Sequence, residues 1–200
     1  GVLSYGASLG RRETPKVYAK PDPLPEELPA WAGEGARFFT ERCIPRAVVE
    51  RNRITWDGQG IRFPYYRDGE LINVKTRWRG KRFSMVAGAE RIWYGLDDCA
   101  GAHQVVLVEG ELDKLAVETA GIVACLSVPD GAPTPTTAEY SSKFDFLESG
   151  GSIFAQCHTV VLAVDNDAPG QRLEEELARR IGREKCFRVT WPEGCKDAND

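Results

Sequence analysis

Val105 to Asp113 reads VVLVEGELD. Four aliphatic residues run directly into two acids and a glycine, with a third acid, Asp113, closing the stretch. A short apolar run of this length predicts a strand buried on both faces, and Gly110 beside Glu109 predicts the turn that leaves it. The acids then stand at the C-terminal end of a strand, the edge at which open α/β sheets bind ligands. The rest of the chain can be searched for further acids at the same edge.

Such acids recur. Thr159 to Val164 predicts another strand, ending in Asp165-Asn166-Asp167, and Cys186 to Trp191 predicts a fourth, followed by Lys196-Asp197. Between them lie a helix from Leu112 to Ala120 closed by Gly121, a second strand from Ile122 to Val128 and the loop Pro129 to Pro133. A helix is expected around Thr137 to Leu147, and another from Gln171 to Ile181, with Leu173, Leu177 and Ile181 at helical spacing. Strands alternating with helices predict a parallel sheet covered on both faces.

The half before residue 100 has a different character. Residues 1–30 are rich in Gly, Pro and charge and read as a linker. Trp31 to Asn52 reads as helix broken near Pro45, with Trp31, Phe38, Phe39, Ile44 and Val48 or Val49 as core candidates. Gly60 to Tyr66 and Glu70 to Arg77 alternate like strands around Arg67-Asp68-Gly69, a hairpin signal. The second strand runs into VKTRWRGKR, Val74 to Arg82, five basic residues in nine. If extended, it would project Lys75, Arg77, Arg79 and Lys81 from one face as a stripe for phosphates, with Trp78 and Phe83 available to stack on bases.

Charge follows the same division. The formal net charge is −4, yet residues 1–100 carry +4 and residues 101–200 carry −8. A basic half joined to an acidic half suggests that one handles polyanions and the other metal. Acids clustered at one edge repel each other, and a hard divalent cation offsets that repulsion. The chain is 42% hydrophobic, enough for a core, and has no run long enough to span a membrane. Its six cysteines show no zinc-ribbon spacing and read as free thiols, and His103 and His158 each stand alone and receive no role. No P-loop motif occurs. The chain reads as a piece of a longer protein.

VLVEGELDKLAV, AVDNDAPGQ and the closing KDAND together resemble the Toprim domain in its primase form. The order of parts is similar to the primase half of phage-type primase-helicases and their Twinkle relatives, and SVPDGAP and GQRLEEELARRIG resemble the plant and algal organellar branch. The resemblance implies an α/β Toprim domain (residues 101–200) with an about four-stranded, mostly parallel sheet flanked by helices. A smaller α+β basic subdomain (31–100) would precede it. It implies synthesis of short RNA primers on single-stranded DNA from ribonucleoside triphosphates. Glu109, Asp165 and Asp167 match the metal-binding acids, Asp197 a further acid and Asp113 a supporting one. Two Mg²⁺ or Mn²⁺ ions would be held there, with no zinc in these residues. Lys75 and Lys81 match residues that handle the nucleotide and nascent phosphodiester. Arg77, Arg79, Arg82 and Lys196 are placed with them as nucleotide- or DNA-binding residues. A helicase domain in the same full-length chain and a mitochondrial or plastid location are implied, with a bacterial or phage-infected cytoplasm as the alternative. The rival activities are a metal-dependent Toprim nuclease and a catalytically silent DNA-binding module.

Overall fold

The computed structural model describes residues 16–24, 33–132 and 142–200. Trp31, most of the expected linker and the start of the helix expected around Thr137 lie outside them. Two short helices come first, α1 (Gly33–Thr40) and α2 (Arg46–Arg51), separated at Pro45 as the fixed proline φ requires. Phe39, Ile44, Val48 and Val49 are buried, while Phe38 is only partly so.

An antiparallel sheet follows, in the order β1 (Thr55–Trp56), β2 (Gly60–Arg67), β3 (Glu70–Trp78), β4 (Arg82–Met85). Asp68 and Gly69 both have positive φ, 54° and 76°, as the tight two-residue hairpin turn demands. A second reversal overturns one expectation. Gly80 and Lys81 also have positive φ, 75° and 58°, so the chain turns back after Trp78 and Arg82 pairs with Trp78. VKTRWRGKR is therefore a hairpin, and the basic stripe stops at Arg77.

The second sheet is parallel throughout, in the order β6 (Cys125–Ser127), β5 (Gln104–Val108), β7 (Thr159–Leu162), β8 (Cys186–Arg188). The central strand β5 alternates between two apolar clusters: Val105 and Leu107 pack on one side, Val106 and Val108 on the other. That explains why its sequence is continuously apolar. Helices α3 (Glu111–Thr119) and α5 (Ala168–Ile181) follow the strands that carry the acids. The second and fourth strands are shorter than their apolar runs, with Ile122, Val123 and Phe187 exposed. Residues 142–150 form 3-10 turns leading into α4 (Gly151–Gln156), a helix the apolar spacing had not marked.

The two sheets are not independent. One apolar cluster includes Phe39, Ile61, Phe63 and Tyr65 together with Trp93, Leu107, Leu126 and Leu173. Tyr94 adds a backbone bridge to Ser127 at the edge of the parallel sheet.

Candidate functional site

Glu109 leaves the end of β5, Asp165 follows β7 and Asp197 follows β8, so one sheet edge receives all three. Asp167 caps α5, accepting a hydrogen bond from the Gly170 N–H at 2.9 Å. Gly170 has a steric reason to be glycine: a Cβ there would lie 2.1 Å from the Asp165 carbonyl oxygen. The first turn of α5 can therefore close against the Asp165 to Asp167 loop.

Glu109, Asp113, Asp165, Lys196 and Asp197 share one cleft of about 760 Å³ with Lys75 and Arg77 from β3. The acidic and basic halves of the chain do meet across it. Lys196 Nζ sits 2.7 Å from Asp165 and 3.2 Å from Asp167, so an ammonium group lies between the two acids. Arg79, Lys81 and Arg82 lie elsewhere: Arg79 pairs with Glu34 and Lys81 stands in the exposed β3–β4 turn.

The electrostatics reflect the crowding. Burial, with Asp165 facing it, pushes the Glu109 carboxyl up to about 6. Burial, with Asp197 and Asp165 nearby, pushes Asp113 up to about 8. Burial also raises Asp165 despite its bond from Lys196, whereas the Gly170 N–H holds Asp167 below the usual carboxylate range. Glu109 Oε1 accepts from the Ala132 N–H at 3.1 Å, but among the described residues its buried Oε2 has no hydrogen-bond partner.

These residues fit a hard cation. An orphaned buried carboxylate oxygen, two acids already gathered around an ammonium and a further acid alongside are the donor set that Mg²⁺ or Mn²⁺ takes, completed by water and substrate phosphates. Among the described residues no three Asp, Glu, His or Cys side chains converge on a single point. Lys196 occupies the space between Asp165 and Asp167, and its withdrawal is what would open that space.

Asp113 predicts a pH signature for the metal-free protein. Its folded pKa lies above the unfolded value of about 4, so the folded state binds the proton more tightly. That contribution is full at low pH and is lost as pH rises from about 4 through about 8. Asp113→Asn cannot ionise. Its thermal midpoint in chelator should gain steadily on the wild type between roughly pH 4 and pH 8 and level off above that. A constant difference across that range would refute the assignment.

The opposite wall depends on residues the sequence did not mark. Lys75 is buried and its ammonium donates to Glu111 Oε1 and to the Pro129 carbonyl, both at 2.8 Å. The buried Tyr65 hydroxyl donates to the same Glu111 oxygen. The Pro129 to Ala132 loop straps the two walls together, since Asp130 also pairs with Arg91 at 2.8 Å and Ala132 holds Glu109. Glu111 stands in the EGELD run, yet its partner Lys75 is 36 positions away, so no local pattern marks it. A lysine at a buried strand position was the available clue.

The sheet order and the acidic edge define a Toprim-type protein, and residues 103–190 match the Toprim domain model. The chain is 40% identical over 215 aligned positions to the Twinkle homolog protein, chloroplastic/mitochondrial, of Arabidopsis thaliana. That alignment covers all of this chain and 30% of the relative. It is 41% identical over 178 positions to the Primase homolog protein of the same plant, covering 82% of this chain and 53% of that one. Its fold is shared with the crystal structure of the primase fragment of the bacteriophage T7 primase-helicase protein. There the TM-score is 0.65 at 24% identity, over 80% of this chain and 66% of the other. Residues 103–190 are a Toprim domain, and the chain is similar in sequence to the plant Twinkle and primase homologs. It spans about half or less of the length of the curated relatives it matches.

Proposed function

We propose that this chain is the primer-synthesising part of a DNA primase, joining ribonucleotides on single-stranded DNA with Mg²⁺ or Mn²⁺. The observation that carries the reading is the cleft in which Glu109, Asp165 and Asp197 face Lys75 and Arg77. Divalent ions, two in this proposal, would be held by Glu109, Asp165 and Asp167 with Asp197 alongside. They would supply charge neutralisation at the reacting phosphate and activation of the primer hydroxyl. The chain's own groups do the positioning. Lys75 directs a fixed ammonium at the phosphates, Arg77 stands beside it, and Asp113 supports the acids from the first turn of α3. Lys196 leaves the two aspartates to bind phosphate. Lys81 would need the β3–β4 turn to move to reach the same ligand.

Extension of a labelled ribonucleotide on a single-stranded template, dependent on metal and template, tests the proposal. Cleavage of labelled DNA by the chain and metal without nucleotides would instead mean a nuclease. Neither product would mean a silent module. We further propose a helicase domain in the same full-length protein, supported by the name of the bacteriophage T7 primase-helicase protein, and action in a mitochondrion or plastid, supported by the name of the Twinkle homolog.

Glu111 enters this scheme as a positioning residue. Glu111→Ala should free the Lys75 side chain and raise KM for the incoming nucleotide by roughly 10- to 100-fold, with a smaller change in kcat, as expected for a misplaced contact. Glu111→Gln keeps an acceptor for Lys75 and should recover most of the loss. Equal damage from both variants would show that Glu111 acts through its charge rather than by holding Lys75.

A further inference from the structure

A second hollow, of about 290 Å³, lies against the β3–β4 turn on the far side of Arg77. Its apolar walls include Phe38 from α1, Trp56 from β1 and Trp78 at the end of β3, and its rim carries Arg77, Arg79 and Lys81. The indole of Trp78 is fixed by donating to Ser84 Oγ at 2.8 Å. Among the described residues neither Trp56 nor Trp78 stacks on another ring, and neither Arg77 nor Lys81 has an ion-pair partner. The hollow thus combines unstacked aromatic faces with two unpaired cations, Arg77 and Lys81, beside the Arg79–Glu34 pair.

Arg77 joins the hollow to the cleft. Its guanidinium lies 5.3 Å from the Phe38 ring centroid, in the hollow, and 5.2 Å from that of Phe83, in the cleft. A chain of phosphates leaving the cleft past Arg77 meets Arg79 and Lys81 next. The volume falls short of the roughly 300–1,000 Å³ pockets that take whole drug-sized ligands. It suits one flat base whose backbone stays outside with the cations.

We propose that this hollow is a stacking pocket for one base of single-stranded nucleic acid, the stretch of template just outside the catalytic cleft. It rests on the reading of the cleft as a template-directed site, and it gives Arg79 and Lys81 a role that their distance from the acids denies them there. Aromatic stacking tolerates any base, so the pocket holds the strand without selecting its sequence.

The test is fluorescence anisotropy of a labelled single-stranded oligonucleotide with the 200-residue chain, with folding checked by thermal midpoint. Trp56→Leu with Trp78→Leu should weaken binding at least about fivefold, the lower end of what one stacked base contributes. Trp56→Phe with Trp78→Phe should keep most of it. An abasic oligonucleotide of equal length should bind the wild type more weakly and should not distinguish the variants. Wild-type affinity in a folded leucine variant would overturn the proposal, as would an equal loss on the abasic strand or a wild type that does not hold the strand at all. So would dimerisation lost in the leucine variant with strand affinity intact, which would make the hollow a self-contact. Asp165→Ala separates this from the primase reading: it should lower synthesis on the order of 10²- to 10³-fold and leave strand affinity unchanged, so the pocket can stand where the activity fails.

Discussion

Asp165→Ala is expected to lower template-directed primer synthesis on the order of 10²- to 10³-fold, the range for removing one preorganised electrostatic group from a site. Asp165 is the acid most shared within the cluster. It holds Lys196 at 2.7 Å, and its charge raises both Glu109 and Asp113. Its removal leaves Lys196 on Asp167 alone, and a cation at the sheet edge loses one of its closest carboxylates. The fold should survive, because one negative charge leaves a self-repelling group. The loss should therefore appear in rate with the thermal midpoint of the metal-free protein unchanged or slightly higher. Mn²⁺ or Mg²⁺ titration should show weakened binding in the same variant. Synthesis near the wild-type rate would end the primase reading.

Lys114→Met is expected to be the most destabilising single change away from the cleft. Lys114 is fully buried, and all three ammonium protons are used: Asn52 Oδ1 at 2.6 Å, Asp98 Oδ2 at 2.6 Å and Glu118 Oε2 at 2.7 Å. Arg51 completes the group with a two-bond pair to Asp98 at 2.8 and 3.0 Å and a bond to Glu118. Burial opposes ionisation of Glu118, but hydrogen bonds from Arg51, Asn52 and Lys114 prevail and hold it down to about 2. Removing the ammonium leaves buried carboxylates short of a partner, which costs about 3–5 kcal/mol, or roughly 6 to 20 °C in a chain of this size. The effect reaches function because this network joins α2 to α3, and α3 carries Glu111 and Asp113. Thermal denaturation checks it; a loss below about 1 kcal/mol would mean that Arg51 alone suffices.

Part of this molecule is local in its sequence. The apolar run into Glu109, the paired acids at 165 and 167 and the Asp68-Gly69 turn are each decided within a few residues, by strand burial, by the two-residue pleat and by backbone φ. The parallel sheet, its edge and the cluster Glu109, Asp165 and Asp197 follow from those and were legible. The β3–β4 turn was misread because five basic residues in nine suggest an extended stripe, while a single Gly80 followed by a lysine in the left-handed region is a weak turn signal. Helix α4 escaped because six residues carry too little periodicity to declare themselves.

What the chain alone determined is the set of acids and the strand ends that carry them. Tertiary structure decided which cations face them. Lys75 and Arg77 reach the cleft and Lys81 does not, because a hairpin intervenes. Lys196, four positions before the chain's last residue here, lodges between Asp165 and Asp167 because β8 lies beside β7. Glu111 and Lys114 look alike as charged residues of one helix, yet one faces a lysine from the other sheet and the other fills a buried knot. The Lys75–Glu111, Lys114–Asn52 and Lys196–Asp165 bonds each join residues 30 or more positions apart, and only packing brings such residues within hydrogen-bond distance.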